Sequence, residues 1–108
     1  MAIAQLSQDA IDLELGWYKG DPVSLSFKVL DVDWSGTYTA GVYKDATAAT
    51  LLQALTVSAT YSAVTGDTTF TLTMSDADSD NVAGGLWYWK CRQQNGLTRF
   101  AGPVRVDV

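Results

Sequence analysis

The chain reads as an all-β protein, a β-sandwich of about seven antiparallel strands with one short helical turn late in the sequence. Three observations predict this. Apolar and polar residues alternate with a period of two, in runs that recur about every dozen residues. Turn signals separate the runs: Lys19-Gly20-Asp21-Pro22, Thr65-Gly66-Asp67 and Asn95-Gly96. Eleven of the twelve acids are Asp and only Glu14 is Glu, a bias that suits turns better than helices.

Taken in order, strand A sets Ile11, Leu13 and Leu15 on one face and Asp12 and Glu14 on the other. Strand B alternates Val23, Leu25, Phe27 and Val29 with Ser24, Ser26 and Lys28, the clearest half-buried pattern in the chain. Asp31 to Gly36 reads as a loop, after which strand C turns Tyr38, Ala40 and Val42 inward. The stretch Thr50 to Tyr61 opens like a helical turn and ends like a strand, so it is read as a strand with a distorted start. Strand E alternates Phe70, Leu72 and Met74 with Thr69, Thr71 and Thr73. Ser75-Asp76-Ala77-Asp78 has the form of a capping box and opens the helical turn between strands E and F. Strand F places Trp87, Trp89 and Cys91 on one face and Tyr88, Lys90 and Arg92 on the other. Asn95-Gly96, the favoured dipeptide of a type I′ hairpin, then leads into strand G, which runs to Val108. Seven strands in this order predict an immunoglobulin-like arrangement. Residues 1–8 are expected to form a short uncharged arm, and residues 9–108 a single domain whose sheet ends where the sequence ends.

The totals exclude several functions. A net charge of −5, with scattered basic residues, repels phosphate backbones and argues against nucleic-acid binding. No run of about 18 apolar residues suggests a membrane span, and the first residues lack the basic region of a signal peptide. A single cysteine cannot form an internal disulfide, which suits synthesis in a reducing cytoplasm. The chain has no histidine, which removes the Ser-His-Asp triad, the Cys-His pair and histidine metal ligation. Cys91 falls mid-strand among aromatic residues, where burial raises a thiol pKa, so it reads as a small core residue. No enzyme activity and no cofactor is expected.

Two sets of residues invite a binding role. Asp76, Asp78 and Asp80 match positions 1, 3 and 5 of an EF-hand-like calcium loop, but position 6 is Asn81 and position 12 is Trp87. A capped, solvated helical turn explains them more simply. Trp17, Tyr18 and Trp34 fall at strand ends and in loops, where an aromatic side chain serves as a partner-binding anchor or caps the end of the sandwich. The same three could form a stacking platform for sugar rings.

The ordered features resemble the small immunoglobulin-like domains of tailed-phage virion proteins, especially the N-terminal domain of upper baseplate proteins. The resemblance rests on Lys19-Gly20-Asp21 leading into Val23–Val29, Gly36–Tyr43, Thr71–Asp78, Gly85–Lys90 and Gly102–Val106, and spans nearly the whole chain from Asp9. It implies assembly without catalysis: a structural subunit of a bacteriophage virion that binds other virion proteins. Upper baseplate proteins continue into a fibre region, whereas this sequence stops at Val108, which favours a capsid (head) decoration protein or a small tail or neck accessory subunit over a baseplate adaptor. The partners expected are neighbouring virion proteins, including further copies of the chain. The alternative is a carbohydrate-binding adhesion module that aids attachment to the host surface.

Overall fold

The computed structural model describes residues 11–94 and 96–108. The expected N-terminal arm, residues 1–8, lies outside them. Among the described residues, eight strands form one curled sheet: β1 (Ile11–Asp12), β2 (Leu15–Tyr18), β3 (Val23–Val29), β4 (Tyr38–Tyr43), β5 (Gln53–Ser62), β6 (Asp67–Met74), β7 (Gly85–Gln93) and β8 (Thr98–Asp107). A single turn of helix, α1 (Asp76–Asp80), joins β6 to β7. The strand order is β1-β8-β7-β4-β5-β6-β3, with β2 beside β1 on the same edge of β8. The all-β expectation holds, but the sheet is mixed rather than wholly antiparallel, because β1 and β2 both run parallel to β8.

The curl comes from β5. Its first residues, Gln53 to Leu55, pair with β4, and the remainder, Thr56 to Ser62, pairs with β6. One strand therefore carries the chain from the β8-β7-β4 half to the β6-β3 half, and the two inner faces close on one core. Phe70, Leu72, Val42, Trp89, Cys91, Phe100 and Val104 are fully enclosed there. Phe100 is the centre of the aromatic packing. It meets Phe27 and Phe70 edge-on at 4.9 and 4.8 Å and stacks parallel to Trp89 at 6.5 Å.

Strand A, expected as one run, is interrupted at Leu13–Glu14. Its register with β8 is nonetheless the same on both sides, Asp12 opposite Ala101 and Gly16 opposite Arg105. The carbonyls of Ala101 and Asp107 accept from Leu13 and Lys19, so odd-numbered residues of β8 turn their main-chain polar groups toward this edge. Pro103 is one of them and has no N–H to donate. In a parallel ladder with this register, that missing donor belongs to the Leu13 carbonyl. The buried indole of Trp89 takes its place, with Nε1 donating to Leu13 O at 2.7 Å. Gly102 makes the approach possible, since a Cβ there would collide with the Leu13 carbonyl oxygen.

Of the two connections read from sequence in detail, one matches expectation and the other differs. Ser75 caps α1, its Oγ accepting from the Asp78 amide at 3.1 Å, as the capping box predicts. The β7–β8 hairpin is closed by the Gln93 amide on Leu97 O and the Gly96 amide on Gln93 O, with Gly96 at φ +95°. Three residues, 94–96, thus separate the closing pair, the loop in which one glycine takes the left-handed position, rather than a two-residue type I′ turn. Asn95 itself lies outside the described residues.

Replacing Trp89 by Phe keeps a large ring but strands the Leu13 carbonyl, and is expected to cost about 1–3 kcal/mol in urea unfolding. Pro103→Ala restores an amide on that side and should recover part of the loss in the double variant, a non-additivity that a double-mutant cycle measures. Gly102→Ala should destabilise by a similar amount, about 1–3 kcal/mol, through overpacking against Leu13.

Candidate functional site

The residues singled out by sequence do not converge. Trp17 pairs in register with Val106, Tyr18 pairs with Asp107, and Trp34 packs against Phe100 at the far end of β8. Six extended residues, about 20 Å, separate the two groups. Trp17 is turned into the core, only 8% exposed, which corrects the reading of it as a surface anchor. The alternation beginning at Leu15 simply continues through it, and the strand extends further than the sequence suggested. Its Nε1 is the one buried side-chain polar atom among the described residues without a hydrogen-bond partner. Tyr18, on the opposite face of the same strand, is 61% exposed.

Trp34 is half-buried and tied down from several sides. Buried Thr68 accepts from the Trp34 amide at 2.8 Å and donates to Val32 O at 2.7 Å. The Tyr38 hydroxyl donates to Trp34 O at 2.6 Å, and burial holds that phenol above its ordinary pKa. The Arg99 guanidinium lies 4.5 Å from the centre of the Trp34 ring and donates through Nε to Gln93 Oε1 at 3.0 Å. One face of the indole is therefore occupied by a cation, and a sugar platform of Trp17, Tyr18 and Trp34 does not form. Beside it, an open groove of about 410 Å³ runs between the start of β4 and the β7–β8 hairpin, lined by Thr37, Tyr38, Thr39, Arg92, Gln93, Gln94 and Gly96.

The acidic run does not assemble a metal site. No group of three or more potential ligands comes together among the described residues. Asp76 accepts from the Ala77 amide at 2.8 Å, within its own helical turn. Asp80 instead reaches Lys19 at 2.7 Å, while buried Ser79 accepts from the Gly20 amide at 3.2 Å. These contacts seat α1 on the β2–β3 turn. Cys91 is fully enclosed, and burial pushes its thiol up to about 12. Nothing in that environment activates it as a nucleophile.

Two outer faces emerge only in three dimensions. On the β2-β8-β7-β4 half, Pro103, Tyr88 and Tyr43 lie in one cross-strand row. Leu86 stands opposite Arg105 in the next row and is 77% exposed. Lys90 sits 4.6 Å from the Tyr43 ring centre, and Leu51 folds over Gly41, where a Cβ would strike its side chain. This is an apolar and aromatic face with a charged margin formed by the Arg105–Asp107 pair at 3.0 Å. The β5-β6-β3 half is different. Its outward rows are Thr56-Thr73-Ser24, Ser58-Thr71-Ser26 and Thr60-Thr69-Lys28, a field of hydroxyls with one cation. Leu86 and Tyr43 were not singled out by sequence, although the alternation that turns half-buried Trp87 and buried Val42 inward already turns both outward.

No protein-family model matches the chain, and no curated protein matches it. Among the described residues, no helix is long and apolar enough to cross a membrane.

Thr68→Val removes both the donor and the acceptor that hold the Val32–Trp34 loop, and a loss of about 1–3 kcal/mol is expected in chemical denaturation. Faster amide exchange at Trp34 should accompany it. Because Cys91 has a higher pKa folded than unfolded, its contribution to stability is complete below pH 9 and disappears as pH rises toward about 12. A thiol reagent applied to the folded protein at pH 8 should label Cys91 only at the rate of unfolding.

Proposed function

We propose that this chain is a non-enzymatic structural subunit of a tailed-phage particle, an immunoglobulin-like sandwich that acts by packing against neighbouring virion proteins. For the sandwich, the support is strand order. β3, β6 and β5 stand where strands B, E and D of such a domain stand, and β4, β7 and β8 where C, F and G stand. The departure is that β1 and β2 lie on β8, not on β3.

The observation that carries the assembly role is the outer face bearing Leu86, Tyr88, Tyr43 and Pro103. Its apolar and aromatic side chains project from rigid strands, with exposed Tyr18 at one side and charged residues at the margin. Contiguous apolar surface rimmed by polar groups marks protein contacts, and aromatic residues on fixed backbone lose little entropy on docking. The virion setting itself rests on the resemblance described above, and a head decoration role and a small tail or neck role are both consistent with such a face.

Quantitative mass spectrometry of density-purified particles tests this reading. The chain should be present in stoichiometric amount, at shell-like copy number for a decoration protein and at ring-like copy number for a neck or tail subunit. Its absence from the particle overturns the assignment. Leu86→Asp should leave the fold intact, since an exposed substitution costs within about 0.5 kcal/mol, and yet abolish incorporation. Selective polysaccharide capture that is lost in Trp34→Ala would instead favour the carbohydrate-binding alternative.

A further inference from the structure

The strand order leaves β3 at the end of the sheet, with β6 as its one neighbour among the described residues. Natural sheets guard such edges with proline, bulges, short strands or charge. β3 has seven residues, Val23-Ser-Leu-Ser-Phe-Lys-Val29, contains no proline or glycine, and keeps an unbroken register with β6 throughout. Lys28 is its sole charge. The inward side chains Leu25, Phe27 and Val29 pack against the core but stay partly exposed, so the seam beside this edge is not fully covered.

We propose that the β3 edge binds a second copy of this chain, the two β3 strands pairing antiparallel about a two-fold axis through Ser26. The sequence of the strand is self-complementary in that register. Ser26 faces Ser26 of the second copy, Leu25 faces Phe27, Ser24 faces Lys28, and Val23 faces Val29. Apolar residues meet apolar residues on the inner side, and the two Lys28 ammonium groups are kept apart. An axis perpendicular to the sheet leaves the inner faces of both copies on one side, as an isologous contact requires. The new strand pair covers the exposed parts of Leu25 and Phe27 and satisfies main-chain groups that the edge presents to solvent. On the outer side, the Ser26–Thr71 hydroxyl contact at 3.2 Å becomes part of a row running Ser58-Thr71-Ser26 and on through Ser26 of the second copy. Hydroxyl pairs of this kind stabilise cross-strand neighbours. The β3 edge is separate from the Leu86 face, and the inference does not depend on the virion reading.

Sedimentation velocity of the full chain across a wide concentration range, together with cysteine cross-linking, tests the pairing. A monomer–dimer equilibrium is expected. Oxidation, or a short bis-maleimide that alkylates both thiols where the pair is of the wider hydrogen-bonded kind, should couple Ser26→Cys to a covalent dimer. Buried Cys91 does not compete. Ser24→Cys alone should not couple, while Ser24→Cys combined with Lys28→Cys should. Ser26→Lys sets two cations face to face and should give a monomer with unchanged circular dichroism. A chain that stays monomeric at every concentration overturns the proposal. So does Ser24→Cys coupling as readily as Ser26→Cys, or a dimer that survives Ser26→Lys and dissociates in Leu86→Asp, which would place the contact on the opposite face.

Discussion

The hydrogen bond from the Trp89 indole to the Leu13 carbonyl is the contact on which the closure of this fold depends. β8 is a central strand, yet it carries a proline, which would ordinarily argue against a central position. The missing amide of Pro103 leaves one carbonyl of the first strand without its ladder partner, at a half-buried position beside the fully buried Trp89 ring. A carbonyl left unpaired there costs about 1–3 kcal/mol, more than an ordinary hydrogen bond contributes. Trp89 satisfies it from inside the core, and Gly102 leaves the room for that carbonyl to approach. Three residues from two strands thus hold the first strand in one register across its break, and that strand in turn covers the end of the core formed by Leu15 and Trp17.

A second set of polar contacts does the same for the opposite end. Thr68 and Tyr38 bond the main chain of the Val32–Trp34 loop, and Arg99 covers the indole. The effect is to turn Trp34 from a free aromatic surface into a closed end of the core. Polar side chains are buried here because each has its partners, and the loop is held by enthalpy where its own backbone offers no ladder. The apolar row across β8, β7 and β4 and the open edge of β3 both lie on strands and not in loops, and neither forms the enclosed cleft typical of small-ligand sites.

Much of the architecture was legible in the chain because a strand with one buried face must alternate. That rule placed Phe70, Leu72 and Met74, Tyr38, Ala40 and Val42, and Trp89 and Cys91 on the inner face, and all of them are buried. It also applied to Trp17, but the sequence reading ended strand A at Leu15 and lost the next inward position. The capped helical turn was legible because Ser75 and Asp78 act within four residues of each other. The hairpin was located correctly and its loop length was not, since two- and three-residue loops both accept glycine at a left-handed position. The candidate sites fared differently. A platform of Trp17, Tyr18 and Trp34 required residues far apart in sequence to meet, and nothing in a local pattern states whether they do.

Sequence by itself determined the class of fold, the inward and outward sets on the central strands, the helical cap and the absence of histidine-based chemistry, all of which depend on local periodicity and composition. The tertiary structure decided which strands are neighbours: that the first two run parallel to the last, that β5 is shared between the two halves, and that β3 is left at the edge. Neighbour choice depends on long-range pairing, in which main-chain hydrogen bonds are the same for every residue except proline. The one residue that could have announced its pairing, Pro103, did so by omission, and only the position of the Trp89 indole reveals what filled the gap.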